Sequence, residues 1–187
     1  MKNSTNGVAD IVWLYRQKTV IVMHLISMAI ALLVPIDAIS SSAFLGHVVN
    51  GVLSVIPMGR NFSVKSSFPE LVQIYSAAMI FFIPPLIAFH FRLPGLAEMK
   101  KRMLKIMGES KAKILLIHFL LIFILTSLLV VLFFVKGSEF SLAPFLTSKF
   151  FLGAVGPVIF CIFPASMICL FFVVLDVLNK FWRNKNV

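Results

Sequence analysis

Acidic residues are scarce in this chain. Seven Asp and Glu stand against 17 Lys and Arg in 187 residues, for a formal net charge of +10. None of the seven falls in the middle of a long apolar run. Asp37, Glu70, Glu139 and Asp176 sit at the ends of such runs or between them. Proton- and ion-coupled transporters place carboxylates within the membrane, so this absence argues against coupled transport. Cysteine is nearly absent too. Cys161 and Cys169 are eight positions apart in one apolar run. On a helix that is about 12 Å along the axis, too far for a disulfide, so both are expected as small packing residues. No HxxxH, HExxH or CxxC spacing occurs, and no nucleotide-binding loop. Neither a metal nor an organic cofactor is expected.

What is abundant is apolar. Hydrophobic residues make up 60% of the chain, charged residues 13%, and mean hydropathy is +1.02. A soluble domain carries about twice that share of charge. Four runs read as transmembrane helices: about 19–36, 72–91, 114–135 and 150–175. The third is the cleanest. It holds 22 residues without a charge, about 33 Å as a helix and enough to cross a bilayer core. The fourth is longer and should tilt, and Pro157 and Pro164 should kink it. Pro84-Pro85 should bend the second near its middle. The first run follows Arg16 and Lys18 without a clear small-residue cleavage site, so it reads as a retained helix.

Basic residues set the orientation. Three precede the first run, seven lie between the second and third, and three follow the fourth, against four in the other two loops. The positive-inside rule places the richer side in the cytoplasm. The expected fold is therefore all-α: a single four-helix transmembrane domain spanning 1–187, in a cell inner membrane, with both termini cytoplasmic. Trp13, Tyr15 and Trp182 lie where an aromatic belt would.

Two segments between the runs carry more pattern than a loop needs. Residues 43–58, facing outward, contain no charge. Phe44, Leu45, Val48, Val52 and Leu53 fall with Val49 and Ile56 on one helical face, and Gly46, His47, Asn50, Gly51 and Ser54 on the other. An amphipathic helix at the outer surface, or a re-entrant segment, is expected, either as a lid on the bundle or as a surface that senses a membrane event or contacts an incoming factor. Residues 92–113, facing the cytoplasm, are strongly basic, with Met99, Met103, Ile106 and Met107 at helical spacing. Here Lys100, Lys101, Arg102 and Lys105 are the candidates for docking an acidic cytoplasmic protein or anionic headgroups. Nothing in the pattern provides a nucleic-acid recognition fold.

Within the fourth run Gly153, Pro157, Cys161, Ala165 and Cys169 recur every four residues. Small residues on one face let helix backbones approach closely, either within one bundle or between copies of the chain in a homo-oligomer. His24, His90 and His118 lie at similar depths toward the cytoplasmic side. They form a site only if they face one another; hydrogen-bonded interfacial histidines are the simpler expectation.

In layout, the four spans, the 37–71 outer loop and the 92–113 basic loop resemble two families. One is the four-span membrane subunit of the Kiwa phage-defence system. That resemblance implies a non-enzymatic subunit working with a cytoplasmic partner. The other is the colicin-A-type immunity proteins, small basic four-span inner-membrane proteins. That resemblance implies blocking of a pore-forming toxin within the bilayer. A small channel or transporter is a further reading, compatible with kinked helices and a small-residue stripe.

Overall fold

A computed structural model of the chain describes residues 16–64, 66–93, 95–134 and 147–185. Trp13 and Tyr15 of the expected belt, and residues 136–146 of the second outer loop, lie outside them. The regular structure of the described residues is all helix, with no strand. Two helices are long and apolar enough to cross a membrane: Lys113–Phe134, and a 36-residue helix, Lys149–Asn184. A third crossing results if the bent pair Pro69–Ile80 and Ile83–His90 is one span.

α1, Lys18–Leu33, has 16 residues, about 24 Å of helix and short of the expected run. Its end has a local cause. Proline disfavours helical geometry in the residue before it; Pro35 follows Val34, which is extended at φ −73°, ψ 130°. Lys149 donates to the Val34 carbonyl at 3.4 Å, placing a cation at the helix C-terminus. α1 buries one stripe, Val20, Met23, Ser27 and Ala31.

α2 (Ala38–Ser41), α3 (Ala43–Val55) and α4 (Met58–Ser63) cover one end of the bundle. Glu70 holds α2 in place, accepting from the backbone amides of Ile39 at 2.8 Å and Ser40 at 2.9 Å and from the Ser40 hydroxyl. These are amides that a helix N-terminus leaves unpaired. Ser42 caps α3, accepting from the Leu45 amide at 3.3 Å.

α5 (Pro69–Ile80) is the central element. Leu71, Val72, Ile74, Tyr75, Ser76, Ala77 and Met79 are all buried, so it is covered on most sides. α6 (Ile83–His90) continues it at a 45° bend. The break falls at Phe81–Phe82, one turn before the position expected from Pro84-Pro85. The prolines occupy the first turn of α6 instead. There their missing amides cost nothing and their fixed φ suits the helix.

α7 (Leu96–Glu109) is the basic segment. α8 (Lys111–Leu129) runs into a π-helical turn, Val130–Phe134. α9 (Lys149–Pro157) passes through a second π turn, Val158–Ile162, into α10 (Phe163–Lys185). The two expected proline kinks are thus a single irregularity, a π turn between Pro157 and Pro164 within one long helix. At about 1.5 Å per residue, 36 residues outreach the hydrocarbon core. The polar end of α10, from Asp176 onward, stands beyond the apolar run.

The main core joins α1, α5, α6, α9 and the second π turn, with Phe160 edge-on to Tyr75 (centroids 5.7 Å apart) and to Phe62 (5.4 Å). A second core of Met107, Ile117, Ile124, Val174, Val177 and Leu178 fastens α7 to α8 and α10.

Candidate docking surface and helix interface

α7 turns one face inward and one outward. Met103, Leu104 and Met107 pack into the second core. Ile106, expected on that face, is instead exposed, and Leu104 takes its place. The helix is further tied by its charges. Lys100 donates to Asp176 at 2.9 Å, and Lys180 lies 3.2 Å from the same carboxylate oxygen. One acid therefore joins α7 to the polar end of α10. The Lys100 ammonium, followed by that of Lys180, holds the Asp176 carboxyl below the ordinary carboxylate range. Sequence reasoning assigned Asp176 no role, because its partner lies 76 residues away.

The four candidate docking residues thus divide. Lys100 is half-buried and engaged with Asp176. Lys101, Arg102 and Lys105 are exposed, with Arg102 donating to Glu98 one turn earlier at 3.1 Å. Arg92, Lys180 and Arg183 are also exposed. The outcome is a helix anchored by its apolar face and by Lys100, with Lys101, Arg102 and Lys105 exposed.

The small-residue stripe lies inside the bundle. Gly153, Pro157, Cys161, Ala165 and Cys169 are all buried. A methyl group on Gly153 would strike Met28 and crowd Ala31, so α9 lies tight against α1 of the same chain. Gly156 is as constrained, since a methyl group there would run into the Tyr75 ring. Backbone contact this close needs glycine at both positions.

Between these helices is a polar chain. The Tyr75 hydroxyl donates to Ser27 Oγ at 2.5 Å, and Ser27 donates to the Gly153 carbonyl at 2.6 Å. Both side chains are fully buried. Sequence reasoning did not single them out. The available signal was Pro157, which has no amide for the carbonyl four residues earlier and so creates a demand for a donor.

The three histidines are each tied to their own helix. Each ring Nδ1 donates to the carbonyl four residues back: His24 to Val20 at 2.9 Å, His90 to Leu86 at 2.7 Å, His118 to Ile114 at 2.8 Å. His90 Nε2 additionally meets Ser166 Oγ at 2.7 Å, joining α6 to α10. Among the described residues no three His, Cys, Asp or Glu are grouped as a metal site.

On α3 the faces are rotated from the expectation. Gly46, Val49 and Leu53 are buried, with Gly46 against Ile39, while Leu45 and Val52 are half-buried. Phe44 (79% exposed) and Val48 (45%) point away from the bundle alongside His47, Asn50, Gly51 and Ser54. An apolar pair therefore stands on the outward surface of this helix.

Fold and surfaces define a helical protein with, among the described residues, two or three helices long and apolar enough to cross a membrane. No protein-family model, curated protein or solved structure matches the chain.

Proposed function

We propose that the chain is a non-enzymatic, four-span inner-membrane subunit of a bacterial antiviral defence system. Both termini lie in the cytoplasm, α3 faces outward, and α7 docks an acidic cytoplasmic protein. The observation that carries this reading is the construction of α7. Its apolar face is committed to the bundle and Lys100 to Asp176, while Lys101, Arg102 and Lys105 are presented together. A loop serving only as a topology signal needs no such anchoring. On the other side, exposed Phe44 and Val48 give α3 an apolar contact for lipid or an incoming factor whose arrival is passed to the partner. In this reading the subunit assembles as a homo-oligomer; with the α9–α10 stripe used inside the chain, that contact lies on another face.

The test is purification of the tagged protein from native membranes in mild detergent, with the mass of the complex and its bound proteins measured. A stoichiometric cytoplasmic partner is expected. It should be lost when Lys101, Arg102 and Lys105 become Glu, and lost from the wild type in a high-salt wash, because the screening length between exposed charges shrinks to ~3 Å at 1 M. A monomer with no partner sinks the proposal.

The second reading, an immunity protein against a pore-forming toxin, is favoured by α8. Among the described residues, this helix and the π turn after it are buried along one edge, at Ile117, Ile124, Leu128 and Leu132. Leu115, Leu116, Phe119, Ile122 and Phe123 are left exposed, a long apolar face on which a toxin helix would lie within the bilayer. Protection of cells from a purified pore-forming toxin, abolished by substitutions on that face, would favour this reading over the first.

A further inference from the structure

Three sulfur atoms from three helices converge in the main core. Cys161 sits in the second π turn. Its Sγ is 3.5 Å from Met23 Sδ on α1 and 4.0 Å from Met79 Sδ on α5. All three residues have no solvent exposure. The thiol also reaches the Pro157 carbonyl at 3.0 Å.

We propose that Met23, Met79 and Cys161 form a binding site for one Cu(I) ion. Thioether and thiolate sulfurs are soft ligands that select Cu(I). A metal–sulfur bond of about 2.3 Å, in a trigonal or tetrahedral set, separates its sulfurs by roughly 3.8–4.0 Å. The two separations from Cys161, 3.5 Å and 4.0 Å, lie close to that range, so each thioether is within reach of an ion bound at the thiolate. The π turn contributes to this. Such turns insert a residue into the helix and recur at functional sites; this one carries Cys161 in its fourth position.

Charge selects the same ion. Binding breaks the Cys161 S–H bond and forms a Cys161 S–Cu bond, with the proton released to water and no change of oxidation state. One monovalent cation on one thiolate is neutral, which suits an apolar core. A divalent ion would leave a net positive charge there, at high cost. Zinc is disfavoured also because its sites are built from Cys, His and carboxylates rather than thioethers. One to two turns further along the same three helices lie Ser27, Tyr75 and the Gly153 carbonyl, with the Met28 side chain against Gly153. These hydroxyl and sulfur groups continue a line of donors toward the end of the bundle covered by α3. The inference is independent of the defence proposal and stands or falls separately from it.

The experiment uses the full chain, purified in mild detergent without oxygen. It is titrated with Cu(I) in acetonitrile against bicinchoninate as a competing chromophore, and the product is measured by X-ray absorption. One copper per chain is expected, with sulfur as the dominant neighbour at about 2.3 Å. Cys161→Ser should lower affinity by more than the roughly tenfold that loss of an outer-shell partner costs. Met23→Leu and Met79→Leu keep the volume of the core, and each should weaken binding while leaving the helical spectrum unchanged. Cys169→Ser should bind as the wild type does. The inference is overturned if the folded wild type retains no copper, if Cys161→Ser or the two leucine variants bind as tightly as the wild type, or if binding follows Cys169.

Discussion

Ser27 on α1 donates its hydroxyl proton to the carbonyl of Gly153 on α9 at 2.6 Å. That carbonyl is the one for which Pro157 offers no amide. A transmembrane helix tolerates proline where a neighbour satisfies the freed group, and here the neighbour is a serine 126 positions earlier in the chain. The Tyr75 hydroxyl, donating to the same Ser27 oxygen, brings α5 into the contact.

Ser27→Ala should therefore destabilise the protein more than Tyr75→Phe. The alanine removes the donor to Gly153 and also leaves the buried Tyr75 hydroxyl without its acceptor; the phenylalanine removes one hydrogen bond and keeps the ring against Phe160. Interhelical hydrogen bonds in membranes contribute about 0.5–2 kcal/mol, so about 1–2 kcal/mol for Ser27→Ala and under about 1 kcal/mol for Tyr75→Phe are expected. Denaturant unfolding in detergent micelles, with the double variant included, measures the two losses and their coupling. Additive losses would show that the two hydroxyls act independently.

The glycines supply a paired prediction. Gly156→Ala places a methyl group against the Tyr75 ring and should destabilise, by about 1–3 kcal/mol as overpacking of a tight core does. Gly51→Ala on α3 meets nothing within 4 Å, so the gain in helix propensity is unopposed. It should stabilise by up to about 1 kcal/mol. Thermal melting of both variants in one detergent checks the opposite signs, and equal effects would contradict the close approach of α9 to α5.

How much of this was legible beforehand depends on the kind of interaction. The apolar runs and the basic segment follow from composition and spacing, and they mark where helices lie. The Val34 end of α1 was legible too, since Pro35 is in the sequence, although the expected run was carried past it to 36. The buried face of α3 was not. Gly46 looks polar by composition, yet its smallness lets α3 close on Ile39. The pairing of Ser27 with Gly153, of Lys100 with Asp176 and of Ser166 with His90 depends on which helices become neighbours. Periodicity within one helix is silent on that.

Asp176 makes α7 sensitive to acid. Its carboxyl is held below the ordinary range by Lys100 and Lys180. Its contribution is therefore fully present above the unfolded carboxylate value of about 4 and is lost as pH falls through the lowered folded value. The bridge is partly exposed, so its contribution is small, within about 1 kcal/mol. Protection of the α7 amides, taken relative to the intrinsic exchange rate at each pH, should be constant from pH 8 to 5 and should fall below pH ~4. Asp176→Asn should show the lower protection throughout, with no further fall below pH ~4. An α7 protected equally in both proteins would assign its anchoring to Met103, Leu104 and Met107 alone.

Topology is the prediction on which the functional proposal most depends. Cys161 and Cys169 are buried, so the native thiols should react slowly with a membrane-impermeant maleimide, and single cysteines placed at exposed sites can be read against that background. Lys105→Cys on α7 and His47→Cys on α3 suit the purpose, both residues being exposed. With four crossings and cytoplasmic termini, intact cells should label at position 47 at once and at position 105 only after the membrane is opened. The reverse pattern would turn α7 outward, where no cytoplasmic partner reaches it. Labelling of both positions from outside would leave α5 and α6 as a re-entrant pair rather than a span. That outcome would favour the toxin-blocking reading, in which the outward-facing surface and the apolar face of α8 carry the function.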